Sequence, residues 1–201
     1  MSKAEPVGDL RGYELLLAVT GGIAAYKVCQ VCSMLVQRGC GVTVAMTDAA
    51  TRFVGPLTFQ ALSGRPVYVD LWRSQEHYDP HHLGLTDRAD LVLVAPATAN
   101  ILGKMACGIG DDLVSTLMLA VDSPVLIAPA MNSRMWGNPI VQKNVAALKA
   151  AGYRFIDPGQ GWLACRASGP GRLAEVETLV ATVGEALVAI KPKGPGRGAS
   201  R

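Results

Sequence analysis

Four near-continuous apolar runs, each ending abruptly in small and polar residues, constrain this chain more than any other feature. They are "YELLLAV" (13–19), "GVTVAM" (41–46), "ADLVLVAPAT" (89–98) and "SPVLIAPAM" (123–131). A strand with one wet face alternates apolar and polar residues. These runs are apolar at nearly every position, so each must be a strand covered on both faces. Helical stretches lie between and after them: about Ala24 to Arg38, stopped by Gly39; "PLTFQALSG" (56–64), closed by Gly64; Leu113 to Ala120; and Pro139 to Ala151, ended by Gly152. "PVYVDLW" (66–72) offers a third strand, "YRFID" (153–157) a short last one, and 173–190 a closing helix. Strands alternating with helices predict an α/β domain built on an open parallel sheet with helices on both faces.

The length of 201 residues suits one well-buried domain, and neither an internal repeat nor an interior linker divides it. No apolar run reaches the roughly 18 residues that cross a bilayer, and "MSKAEPVGDLRGYE" has no signal-peptide core. These features argue against a membrane and predict a cytoplasmic enzyme or binding domain. The net charge is +3, but the last eleven residues, "KPKGPGRGASR", contribute four basic residues and no acid, leaving the body at about −1. That balance argues against nucleic acid as a partner. It also predicts one domain over 1–190 followed by a disordered basic Gly/Pro tail over 191–201.

The five cysteines, Cys29, Cys32, Cys40, Cys107 and Cys165, are odd in number and set in apolar sequence, which suits reduced thiols. Cys29 and Cys32 form a C-x-x-C, but inside a helical run, without a second such pair, and with the three histidines clustered at 77 to 82. Core packing is the better reading, and no metal site is expected.

In open parallel sheets, ligands gather at the carboxyl ends of the strands. That rule brings four segments to one edge: "TGGIAAYK" (20–27), "MTDAAT" (46–51), "PATAN" (96–100) and "PAMNSRMW" (129–136). The two glycines between strand and helix let the backbone approach an anion at the helix start. The absence of G-x-G-x-x-G disfavours a dinucleotide, although Asp48 could pass for a ribose-binding acid. Thr47 and Thr51 suit a single terminal phosphate, so a mononucleotide fits better. Thr98 and Asn100 could hydrogen-bond the polar edge of a heterocycle. Asn132 could hold a carboxylate without a charge of its own, beside a soft wall of Met131, Met135 and Trp136. Taken singly, each segment also has a plain structural reading: a tight turn, a helix cap or ordinary core.

Four segments together carry a family resemblance. "TGGIAAYK", "APATANILGKMACGIGDDL", "PAMNSRMW" and "ACRASGPGRLAE" occur in the order and spacing of the phosphopantothenoylcysteine decarboxylases, members of the homo-oligomeric flavin-containing cysteine decarboxylases. The likeness runs from about Tyr13 to Ile190, and the PxMNxxMW pattern is its most specific part. It implies a flavodoxin-like, Rossmann-like fold that binds FMN at a subunit interface, commonly in trimers or in dodecamers made of trimers. A pattern of histidine, leucine three residues on and Ala-Asp at seven and eight falls on His82, Leu85, Ala89 and Asp90, which makes His82 resemble the catalytic histidine. Asn132 resembles the carboxylate-binding asparagine of the substrate clamp, with Met135 beside it. Cys165 resembles the thiol that supplies a late proton. Gly22, Thr47, Thr98, Ala99, Asn100 and Ala130 would lie around FMN. The chemistry implied is an oxidative decarboxylation without net redox change. The carbon bearing the substrate thiol is oxidised to a thioaldehyde, the C=S group serves as electron sink while carbon dioxide leaves, and the enethiol is then reduced and protonated. His82 would act as a base or orient the thiol.

The chain departs from its relatives at two places. They commonly follow the cysteine with Gly-Asp, where this chain has Arg166 and Ala167, so the flap carrying the thiol would close differently or Arg166 would meet the substrate phosphate. They often carry basic residues four and five after the histidine, where Thr86 and Asp87 stand here. A peptidyl-cysteine decarboxylase that stops at the enethiol is the nearest competitor, but it has no need of a protonating thiol, and an inert buried Cys165 fits poorly with the Gly and Arg around it. A regulatory flavin-fold protein that binds a phosphatase would carry long acidic extensions. A prenyl-transferring flavin protein would not keep the PxMNxxMW clamp. Many bacterial relatives continue into a ligase domain, so the sequence predicts a stand-alone decarboxylase fed by a separate ligase.

Overall fold

The computed structural model describes residues 8–71, 81–162, 164, 166 and 168–194, with the side chains of 81–83 excepted. The element order opens β1(Glu14–Val19), α1(Ala25–Gln37), β2(Gly41–Met46), α2(Asp48–Thr51), α3(Pro56–Ser63), β3(Val67–Tyr68) and α4(His81–Arg88). It continues β4(Leu91–Ala97), α5(Ala99–Cys107), α6(Leu113–Ala120), β5(Val125–Pro129), α7(Ser133–Trp136), α8(Pro139–Ala150), β6(Arg154–Phe155), β7(Gly159–Trp162), β8(Ser168–Arg172) and α9(Val176–Val188). Six strands form one sheet in the order β3-β2-β1-β4-β5-β6, and every neighbouring pair is parallel. This is the expected α/β architecture.

Burial on both faces explains why the central strands are apolar at nearly every position. In β1, Leu15, Leu17 and Val19 join the core on one side with Val28, Val31 and Leu35 of α1 and Leu179, Val180 and Val183 of α9. Leu16 and Ala18, one residue out of phase, join the other core with Ile101 and Leu102 of α5, Leu117 of α6 and Leu148 of α8. Successive strand residues point to opposite faces, so a single run feeds both layers. Cys32 belongs to the first core, as the C-x-x-C reading expects.

Several elements lie outside the expected pattern, among them the short helices α2 and α7. The polar "HHLGLTDR" forms α4, "ANILGKMAC" forms α5, and β7 pairs antiparallel with β8 as a separate two-stranded hairpin. The "PVYVDLW" strand is reduced to the two residues of β3 at the sheet edge. The expected disordered tail is anchored where it begins. The backbone N–H of Lys193 donates to Asp90 at 2.6 Å and its Nζ to Ser123 at 2.7 Å. Asp90, buried just ahead of β4, also accepts from the N–H of Glu14. The ordered chain therefore reaches past residue 190 along the amino edge of the sheet.

Candidate active site

The order of strands reverses between β1 and β4, because the chain steps outward through β2 and β3 and then returns to the far side of β1. Such a switch point opens a crevice beyond the carboxyl ends of the two strands. Here Thr20, directly after β1, ties the two ends together: its buried hydroxyl donates to the carbonyl of Pro96 and accepts from the N–H of Thr98 at 3.1 Å. Thr98 in turn caps α5, accepting from the N–H of Ile101.

Above this clasp lies a cleft of about 670 Å³, a size that suits a cofactor-sized ligand. Gly21 to Ala24, Tyr26 and Lys27 line it after β1, Thr98 and Ala99 after β4, and Ala130, Met131, Asn132 and Met135 after β5. The hairpin contributes Trp162, Ala164 and Gly171 to Leu173. Backbone contacts hold that hairpin to the β5 loop, for the N–H of Met131 donates to the carbonyl of Gly171 at 2.9 Å. Gly171 has φ 112°, and a Cβ there would collide with the carbonyl oxygen of Met131. Only glycine lets the two segments approach in this way.

Asn132 begins α7, and its side-chain oxygen accepts from the N–H of Arg134 at 2.8 Å. The cap uses the acceptor of the amide, so the donor Nδ2 is left for a ligand in the cleft.

Six of the expected residues therefore share one wall: Gly22, Thr98, Ala99, Ala130, Asn132 and Met135. Thr47 and Asn100 do not line it. Thr47 caps α2 by accepting from the N–H of Ala50, and Asn100 is an exposed residue in the first turn of α5. Trp136 packs against the second core, leaving Met131 and Met135 as the soft wall. Cys165 lies outside the described residues, although its neighbour Ala164 lines the cleft. His82 is placed by the backbone of α4, and its side chain lies outside the described part. Two residues, Ala89 and Asp90, separate the end of α4 from the start of β4. Arg166 takes φ 61°, in the left-handed region that favours glycine.

Sequence reasoning missed Lys27, Trp162 and Arg172. A lone base in a helix and two residues of a glycine-rich hairpin carry no periodic signal.

The lining suits a flavin mononucleotide. No side chain caps α1, whose start faces the cleft, leaving backbone N–H groups there for a phosphate. A Cβ on Gly22 would stand 3.5 Å from Cγ2 of Thr98 and take up room between the β1 and β4 loops. Ile23, Met131, Met135 and Trp162 provide apolar surface for a ring system.

Residues 3–188 match the flavoprotein family along nearly the whole chain. The chain belongs to the flavoprotein family. Within it, the chain is 43% identical over 176 residues to a probable phosphopantothenoylcysteine decarboxylase of Streptococcus mutans, covering 87% of this chain and 98% of that protein. It is 51% identical over 171 residues to the coenzyme A biosynthesis bifunctional protein CoaBC of Bacillus subtilis, covering 85% of this chain and 42% of that one. It thus spans less than half the length of the bifunctional relatives. Among solved structures, a cysteine-to-serine variant of PPC decarboxylase complexed with pantothenoylaminoethenethiol superposes with a TM-score of 0.78 at 31% identity, covering 86% of this chain and 97% of that one. Among the described residues, no helix is long and apolar enough to cross a membrane.

Proposed function

We propose that this chain is an FMN-dependent decarboxylase that converts 4'-phosphopantothenoylcysteine to 4'-phosphopantetheine in coenzyme A biosynthesis. The observation that carries the reading is Asn132: it stands on the wall of the cleft with its acceptor spent on Arg134 and its donor left for a carboxylate. A neutral donor orients the carboxylate without stabilising it as a cation would, and so does not hold back loss of carbon dioxide. Met131 and Met135 shield the reacting carbon from water. FMN bound here supplies a reversible two-electron oxidation of the carbon that bears the thiol, which makes the decarboxylation feasible.

His82, in α4, takes or orients the thiol proton. Cys165, carried between β7 and β8, returns a proton to carbon at the end. Gly22, Thr98, Ala99 and Ala130 pack around the flavin, with Thr47 ahead of α2 and Asn100 in the first turn of α5 beside them. The working form is a cytoplasmic homo-oligomer, a trimer or a dodecamer of trimers, with its catalytic domain in residues 1–190.

The test is to purify the protein, record a flavin spectrum, add phosphopantothenoylcysteine and follow the product by mass spectrometry. A product lighter by carbon dioxide alone is expected. Loss of two further hydrogens would assign the chain to the enethiol-forming enzymes instead. His82→Asn should abolish turnover while the flavin stays bound, and Cys165→Ser should accumulate the product lacking two hydrogens. Turnover like the parent's in both variants would remove these two roles.

A further inference from the structure

Arg172 ends β8 and lines the cleft together with Lys27 of α1. Its backbone is held by the close approach of Gly171 to Met131. Across the hairpin, Gly161 gives its side chain room: a Cβ there would stand 3.1 Å from Nη1 of Arg172 and 3.5 Å from Cδ. Nη2 meets Glu175 at 3.1 Å, and both side chains keep solvent contact, 35% and 57% exposed. Among the described residues this is the only ion pair of Arg172, and Lys27 has none. Among the described residues, no Asp or Glu lines the cleft. Two cations thus face a largely apolar cavity, where their field is least screened. The guanidinium keeps an edge available for a second anion, and its fork matches phosphate oxygens.

We infer that Arg172, assisted by Lys27, recognises the terminal phosphate monoester of the substrate. This inference rests on the function proposed above. The substrate carries a carboxylate at its cysteine end and a phosphate at the opposite end. Asn132 suits the first and has no charge for the second. Recognition by Arg172 makes the site select the phosphorylated substrate over its dephosphorylated form and over peptides ending in cysteine. The phosphate of the flavin has the same chemistry, so the experiment must separate the two sources.

Flavin-loaded parent, Arg172→Gln and Lys27→Gln proteins are assayed with phosphorylated and dephosphorylated pantothenoylcysteine, and the apoproteins are titrated with FMN and with riboflavin. In the parent, kcat/KM should favour the phosphorylated substrate. In Arg172→Gln that preference should fall about tenfold, carried by KM, as expected for losing a charged hydrogen bond. Lys27→Gln should lose less. Glu175→Gln, which releases Nη2 without disturbing the fold, should increase the preference. An unchanged ratio in Arg172→Gln with its flavin bound overturns the inference, as does a loss of preference for FMN over riboflavin in place of the substrate effect. A parent that decarboxylates neither substrate overturns the proposed function itself, which is a separate outcome.

Discussion

Asn132 and Cys32 show how similar sequence signals come to lie on a cleft wall or inside a core once each residue's surroundings are known. Asn132, singled out in the sequence by its place after a buried strand, lines the cleft, and its capping bond to Arg134 orients it. The C-x-x-C lies in the core region, as its helical setting suggested: Cys32 is fully buried and Cys29 half-buried on one helix, with the Cys29 thiol directed at the carbonyl of Ala25. Burial pushes the thiols of Cys32 and Cys40 up to about 12 and also raises that of Cys29. Thiolate is the reactive form, so these groups are protected twice, by low ionisation and by lack of access. Iodoacetamide at mildly alkaline pH should therefore label exposed Cys107 quickly and leave Cys32 and Cys40 unmodified until the protein is unfolded. Peptide mass mapping before and after denaturant checks this. By contrast, the charge on Arg172 could be read from sequence but its position could not, because nothing local announces that a hairpin folds back over the β5 loop.

At the scale of elements, legibility followed burial. The four central strands and α1, α8 and α9 were readable because their apolar residues repeat with the period of the surface they cover. In α4 only a few apolar positions meet the core, and its polar sequence reads as loop. In α5 the apolar residues Ile101, Leu102 and Met105 carry a helical spacing, but Thr98 to Asn100 looked like a ligand loop and hid the helix that they begin. The β7–β8 hairpin has no buried apolar face in its paired strands. Its Gly-rich sequence is held instead by backbone pairing and by the fit of Gly171 against Met131. Gly171→Ala should therefore combine a strained φ with a steric clash, costing about 1–3 kcal/mol or displacing the hairpin. A lower thermal midpoint with weakened flavin retention is the expected result, and an unchanged midpoint and retention would show that the contact is not maintained in solution.

On the scale of the whole molecule, the sheet separates two kinds of edge. The carboxyl edge carries the cleft, and the amino edge carries fastenings such as Arg65 with Glu14 and Asp90 with Lys193. Removing residues 191–201 deletes a donor to the buried Asp90 carboxylate and should lower the unfolding free energy by about 1–3 kcal/mol; urea titration of the shortened protein measures it. Along the side of the domain, Lys104 joins α5 to Asp111 and Asp112 ahead of α6. Its hydrogen bond holds the Asp111 carboxyl below its usual 3.8. A depressed folded pKa contributes stability above the unfolded value and loses it as pH falls through the folded one. Asp111→Asn should therefore be less stable than the parent at neutral pH, with the difference vanishing in strong acid. Denaturant midpoints across an acid series decide this.

The anchoring of Lys193 beside Asp90 also sets a direction of departure. Anything appended after Gly194 leaves from the side of the molecule opposite the opening through which substrate enters. A fluorescent reporter or an affinity handle joined there would leave that entrance unobstructed, whereas the same cargo inserted between β7 and β8 would stand in the doorway.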